Sequence, residues 1–219
     1  MERLPELSGL SHADKDQLIR FLRESLGELR EELSELSYII KVVQSKLVQE
    51  GLFGLVNNAT YQILRPLEEF QLEDIEDSLR VNVIAPILMI QACLPFLKKG
   101  KSSIVNIGSI SDKGAGRRYS VYGGTKAFIK AFSRHVCKEI GVDGVRINTV
   151  RPRCTDTPAF ASLPERDSVT KEEVARTVAS IPMEQRLGRP EEIADVVYFV
   201  LTGPAYLHGE DICVDGGFR

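Results

Sequence analysis

The sequence predicts an α/β protein built on a doubly wound parallel sheet, and two observations carry that prediction. From Gly51 onward, short apolar runs alternate with longer amphipathic stretches, the pattern of strands covered by helices on both faces. The residues with the most chemical capacity cluster after the carboxyl ends of the apolar runs, where sheets of this kind bind ligands. A chain of 219 residues with 43% hydrophobic content is long enough for one domain with a continuous core.

Residues 1–50 read as helix, rich in Leu, Glu and Lys. Apolar residues at Ile19, Leu22, Leu26, Leu29, Leu33, Leu36, Ile40, Val43 and Leu47 step by three and four, the stripe of a long amphipathic helix or coiled coil. Gly27 weakens the middle of that stripe by about 1 kcal/mol relative to Ala, so two helices are an alternative to one. Packing on the sheet and pairing with another helix would both use such a stripe. The rest, 51–219, is read as the catalytic part of the same domain. Leu52 to Asn57 is a strand, 72–97 a helix, Ser103 to Ile107 a strand, Tyr119 to Ile140 a helix and Val145 to Val150 a strand. A long loop follows from Arg151 to Val169, then helices over 171–180 and 190–201, and a short last strand from Asp211 to Val214.

The formal charge of −3 leaves no basic excess for a nucleic acid, and no polybasic run marks a membrane surface. The first residues lack the layout of a secretory signal, and no apolar stretch is read as membrane-spanning, so the expected location is cytoplasmic. Cys93, Cys137, Cys154 and Cys213 are far apart and read as reduced thiols. His12, His135 and His208 show no metal-ligand spacing and read as surface or structural residues.

Tyr122 and Lys126 lie four residues apart on one helix, so their side chains share a face. An ammonium beside a phenol favours tyrosinate, and the pair is expected to lower the phenol pKa into the range of a general acid/base for a carbinol proton. Ser109 follows the strand Ser103 to Ile107 and can polarise the same carbonyl oxygen as Tyr122. Pro86 has no N–H to give the carbonyl of Asn82, which leaves that oxygen for a water molecule or marks a plain helix kink.

Asn57-Asn-Ala, Asn82, Ser109, Tyr122-x-x-x-Lys126, Pro152 to Thr157, Arg189-Pro-Glu-Glu-Ile-Ala and Asp215-Gly-Gly occur in this order. Over about Gly51 to Arg219 the chain resembles the short-chain dehydrogenase/reductase superfamily, and its ending resembles the branch of 3-oxoacyl-carrier-protein reductases and similar carbonyl reductases. The resemblance implies a Rossmann-like fold and hydride transfer between NAD or NADP and a carbonyl or alcohol substrate, with Tyr122 as proton donor or acceptor. It implies Ser109 for substrate orientation, Lys126 for the nicotinamide ribose and Asn82 for a relay water. It also implies cofactor contacts from Asn58, Ala59, Ile107, Pro152 and Thr157, and a substrate lid over 153–181. Homo-oligomers assembled through the two long helices are implied too, with a hetero-partner on the N-terminal stripe as a further option.

Two features depart from the family pattern. The nucleotide-binding turn Gly-x-x-x-Gly-x-Gly occurs nowhere in the chain, and the first β-α-β unit reads as truncated or replaced by helix. Thr60 and Arg153 stand where the family has glycine; Arg153 reads as a solvated side chain or as a positive charge for an anionic group. Three functions therefore remain at this level: a working NAD(P)-dependent reductase, a family-derived subunit or binding module without dinucleotide binding, and a cofactor-free acid/base catalyst.

Overall fold

The computed structural model describes residues 51–114, 116–167 and 169–218. The chain divides between Gln49 and Glu50 into two units. The apolar stripe of residues 19–47, the replacement of the first β-α-β unit by helix and His12 lie outside the described residues.

Four parallel strands form one sheet in sequence order: β1 (Gly54–Asn57), β2 (Ser103–Ile107), β3 (Arg146–Pro152) and β4 (Asp211–Val214). Alternate residues of the central strands face opposite layers, as strand geometry requires. Ile104 and Ile147 pack with Ile90, Cys93 and Leu97 of helix α2 (Ala85–Gly100) and with Val136 and Ile140 of helix α3 (Ser120–Ile140). Val105 and Val150 face the other way, onto Ile193, Val196, Val197 and Val200 of α7 (Pro190–Thr202). The sheet is thus covered on both faces, the doubly wound α/β arrangement the sequence predicts.

The elements differ in detail from the sequence reading. The expected helix over 72–97 is α1 (Leu72–Leu79), a π-turn over Arg80–Ile84, then α2. Ala85 donates to the carbonyl of Arg80 five residues back, so the helix widens around Asn82 instead of kinking at Pro86. The combined run Leu72–Gly100 contains an 18-residue window of mean hydropathy 1.7, long and apolar enough by composition to cross a membrane, which corrects the expectation that no stretch reaches that mark. Its apolar content is explained in part by Ile90, Cys93 and Leu97, which face the sheet.

The loop after β3 contains two short helices, α4 (Pro158–Ala161) and α5 (Leu163–Arg166), followed by α6 (Lys171–Ala179). Thr157 caps α4 by accepting from the Phe160 N–H, and Thr170 forms a reciprocal capping box with Glu173 at the start of α6. His208 is a satisfied structural residue: its Nδ1 accepts from the Ile147 N–H at 3.1 Å and its Nε2 lies 2.7 Å from the Cys137 carbonyl oxygen. All four cysteines are free, and among the described residues no cluster of His, Cys, Asp and Glu could hold a metal ion.

Polar contacts fix both ends of the strands. Asn57 donates to Asn106 (2.8 Å), which donates to Ser133 of α3 (2.9 Å), tying β1, β2 and α3 at one level. Arg146 caps the end of α7 by donating to the carbonyls of Val200 (3.1 Å) and Leu201 (2.9 Å), satisfying acceptors that a helix end leaves open.

Candidate active site

The site lies beyond the carboxyl ends of the strands, in a cleft of about 1130 Å³ between β2, the start of α3 and the loop after β3. Ser109, two residues beyond β2, is in extended backbone (φ −161°, ψ 153°) and caps a short 3₁₀ turn, accepting from the Ser111 N–H. Its hydroxyl also donates to Ser111 Oγ at 3.0 Å.

Tyr122 rises from the first turn of α3, one residue before a glycine. A Cβ on Gly123 would stand 2.8 Å from the Ser111 carbonyl oxygen, so only glycine lets the Ser109 loop lie this close to the helix. The phenol thereby lines the same cleft as Ser109 and Thr60, and its ring packs between Leu64 and Leu163. Asp167 pins the same loop by accepting from the Leu64 N–H at 3.1 Å, so the lid is docked over the ring.

Lys126 is 3% exposed and donates to the Ile107 carbonyl at 2.9 Å. Burial lowers its pKa from 10.5 to about 8. Its Nζ lies 5.7 Å from the centre of the Tyr122 ring.

The phenol behaves differently from the sequence expectation. Burial pushes Tyr122 above its ordinary value of 10, and the influence of the Ser109 and Thr60 hydroxyls only partly offsets that rise. The Lys126 ammonium is not among the groups that shift the phenol, and burial dominates. The expected lowering by Lys126 is therefore corrected.

Of the residues drawn from the resemblance, Asn58, Ile107, Ser109, Tyr122, Lys126, Pro152 and Thr157 all line the cleft, whereas Ala59 does not, and Asn82 stands behind the wall. The Asn82 side chain is buried and fully used: Oδ1 accepts from Thr60 Oγ1 (3.1 Å) and the Tyr61 N–H (2.8 Å), and Nδ2 donates to the Tyr61 carbonyl (2.8 Å) and Thr125 Oγ1 (3.1 Å). It holds the loop after β1 against α3.

Arg153 is not a solvated side chain. Its guanidinium lies 3.0 Å from the centre of the Phe218 ring and donates to Ser180 Oγ at 3.3 Å, because the ring offers a stacking face that the sequence alone does not reveal.

The structure adds residues that sequence reasoning missed. Arg151, 2% exposed, donates to the Ser109 carbonyl at 3.4 Å, to Cys213 Sγ at 3.3 Å and to the buried carboxylate of Asp112. Lys130 joins Asp112 at 3.1 Å, and Arg134 closes the network on Asp211 at 2.6 Å. The buried Arg151–Asp112 pair at the centre of this ion cluster braces Ser109 through its carbonyl. The i, i+4 spacing of Lys130 and Arg134 on α3 is a visible cue, but their acidic partners come from elsewhere in the chain.

The family model described as enoyl-(acyl carrier protein) reductase matches residues 33–219. The chain belongs to the short-chain dehydrogenase/reductase superfamily. The match starts ahead of Gly51, where the resemblance in the sequence begins. A tropinone reductase homologue of Arabidopsis thaliana is 33% identical over 198 residues, 88% of this chain and 70% of the relative. The dehydrogenase OXI1 of Cochliobolus heterostrophus is 33% identical over 165 residues, 74% of this chain and 70% of the relative. Across four curated relatives, the chain spans between 59% and 70% of their length. The crystal structure of the Cj0485 dehydrogenase superposes with a TM-score of 0.74 at 28% identity, covering 84% of this chain and 71% of that one. These relatives place the short-chain dehydrogenase/reductase fold and its oxidoreductase family on this chain.

Proposed function

We propose that the protein reduces a carbonyl compound, or oxidises the corresponding alcohol, by hydride exchange with NAD or NADP. The observation that carries this reading is the convergence of Ser109, Tyr122 and Lys126 on one cleft beside Ile107, Pro152 and Thr157.

The residues present fit the nicotinamide end of such a cofactor. An ammonium has three donors, and Lys126 gives one to Ile107, so a vicinal diol suits the others. Asn58 and Thr157 supply polar contacts and Ile107 and Pro152 apolar ones along the same wall. The pyrophosphate end has no Gly-x-x-x-Gly-x-Gly turn anywhere in the chain.

When bound, the nicotinamide supplies or accepts the hydride. Ser109 hydrogen-bonds the substrate oxygen and orients it. Tyr122, kept protonated at neutral pH by its burial, gives its proton to that oxygen in the reductive direction. Lys126, charged below about pH 8, stabilises the phenolate left behind. The packed lid residue Leu163 keeps water from the ring.

Titration of the purified chain with NADPH and NADH, read by nicotinamide fluorescence, together with turnover of a carbonyl panel, tests the reading. The Tyr122→Phe protein is expected to lose turnover and keep nucleotide affinity. Turnover surviving in Tyr122→Phe would remove the phenol from the mechanism.

A further inference from the structure

Arg153 stands where the family pattern has glycine, and its charge is held in one place. The half-buried side chain lays its guanidinium 3.0 Å from the centre of the Phe218 ring, and Nη2 donates to Ser180 Oγ at 3.3 Å, just past the end of α6. A guanidinium has five N–H donors and no acceptor. The bond to Ser180 is its one hydrogen bond among the described residues, and Nε is buried there without an acceptor. Stacking therefore fixes a cation whose donors are mostly unspent.

That cation faces the candidate active site, since Arg153 lines the same cleft as Ser109, Tyr122 and Lys126. Three other cations of the cleft are committed to protein acceptors: Arg151 to the carboxylate of Asp112, Arg118 to Glu173 at 3.0 Å and Lys126 to the Ile107 carbonyl at 2.9 Å. Lys113, Arg117 and Arg176 line it as exposed side chains that join no salt bridge among the described residues. Two carboxylates, Glu173 and Asp215, stand against these seven cations in the lining. Glu173 is taken by Arg118, and Asp215 Oδ1 accepts the Gly217 N–H at 3.0 Å. The whole chain has a formal charge of −3, so the positive excess belongs to the cleft and not to the molecule at large. A concave wall of one sign concentrates ligands of the other.

We infer that the carbonyl substrate carries an anionic group, a carboxylate or a phosphate, and that Arg153 is the residue that holds it. The inference rests on the proposed reaction for the carbonyl, while the charge preference is read by binding alone. A planar fork of donors matches the oxygens of either anion, and the stacked ring removes most of the rotamer freedom that binding would otherwise cost. Ser180 belongs to the lid segment 153–181, so the held anion lies between the lid and the reacting end of the cleft.

The test uses the full chain and two matched pairs: 4-oxopentanoate with its methyl ester, and dihydroxyacetone phosphate with dihydroxyacetone. Binding is measured at pH 7 by saturation-transfer NMR, with and without millimolar NADP. In at least one pair the anion is expected to bind about 10-fold more tightly than its neutral partner, the equivalent of one hydrogen bond to a charged group. Arg153→Gln should abolish that difference, whereas Arg117→Gln should keep most of it. Anion preference without turnover would support the inference and count against the hydride reaction, so the two fail separately. No preference in either pair, or a preference that survives Arg153→Gln, overturns the inference. So does a loss of NADP affinity in Arg153→Gln with the preference intact, which would assign the guanidinium to a nucleotide phosphate. Should Arg153→Gln fold poorly by circular dichroism, the Arg153 Nε resonance decides in parent protein carrying nitrogen-labelled arginine, assigned by its loss in Arg153→Lys. It should move with the preferred anion and stay in place with the neutral partner, and an unmoved resonance overturns the inference.

Discussion

Replacing Lys126 with Met should make the protein more stable and less active, and the gain in stability should vanish at alkaline pH. Lys126 is 3% exposed, and its pKa falls from 10.5 to about 8 through burial. A lysine whose pKa is lower in the folded state than in the unfolded chain opposes folding while it is charged. That penalty is present in full below pH 8 and is relieved as pH rises from about 8 to 10.5. A shift of this size corresponds to about 3 kcal/mol at neutral pH. Methionine fills similar space without charge but abandons the bond to the Ile107 carbonyl, a loss of about 1 kcal/mol. The variant should therefore be more stable than the parent by about 2 kcal/mol at pH 7 and less stable by about 1 kcal/mol above pH 10.5. Urea denaturation of both proteins across this range gives the difference directly. Tyr119, raised to about 12 by burial, and Tyr122, also raised, lower the stability of parent and variant alike above pH 10, so they cancel in the difference. A Met variant less stable than the parent at pH 7, with a gap that does not change with pH, would refute the reasoning.

Further substitutions probe the supports of the site. Gly123→Ala places a Cβ 2.8 Å from the Ser111 carbonyl oxygen, so the Ser109 loop must shift; turnover should fall by about 100-fold with little change in melting temperature, and wild-type turnover would contradict the close-approach argument. Asp112→Ala leaves Arg151 and Lys130 without their shared buried carboxylate and should cost about 3–5 kcal/mol in urea denaturation; a cost under about 1 kcal/mol would mean that the cluster does not brace the fold. Leu163→Ala removes the lid contact to Leu64 and Tyr122, and limited proteolysis should then cut the 158–169 region faster than in the parent; unchanged cleavage would show that this contact does not hold the lid.

The parts of the fold that were legible in the sequence are those governed by short-range pattern. Ser103–Ile107 and Asp211–Val214 are uninterrupted strand signals, and both have the predicted bounds. β1 is shorter than expected, since Phe53 is largely exposed and the ladder with β2 begins only at Gly54. β3 starts one residue later than expected and ends two residues later, because Arg151 and Pro152 still pair in register with Cys213 and Val214. The widening at Arg80–Ile84 was half legible: Pro86 announced a missing donor but not whether the helix would kink or widen.

In the site, fixed spacing made Tyr122 and Lys126 visible as a pair, and the position of Ser109 after a strand made its placement at the sheet edge predictable. The protonation balance was not legible, because it depends on how deeply the phenol is buried. Contacts between distant segments stayed hidden for a related reason. Thr60 meets Asn82 across 22 residues, Arg151 meets Asp112 across 39, and Leu64 meets Asp167 across 103. Nothing in the local sequence around Thr60 or Arg151 distinguishes a bonded side chain from a solvated one; only the tertiary arrangement decides it.

The proposed hydride exchange is tested most directly by following an isotope. NADPH and NADH carrying deuterium at the transferable position of the nicotinamide are incubated with the protein and a panel of ketones and aldehydes, and the alcohols are analysed by mass spectrometry. The account predicts deuterium on the carbinol carbon, lost in Tyr122→Phe. No labelled alcohol from any carbonyl, together with no binding of either nucleotide at millimolar concentration, would contradict it.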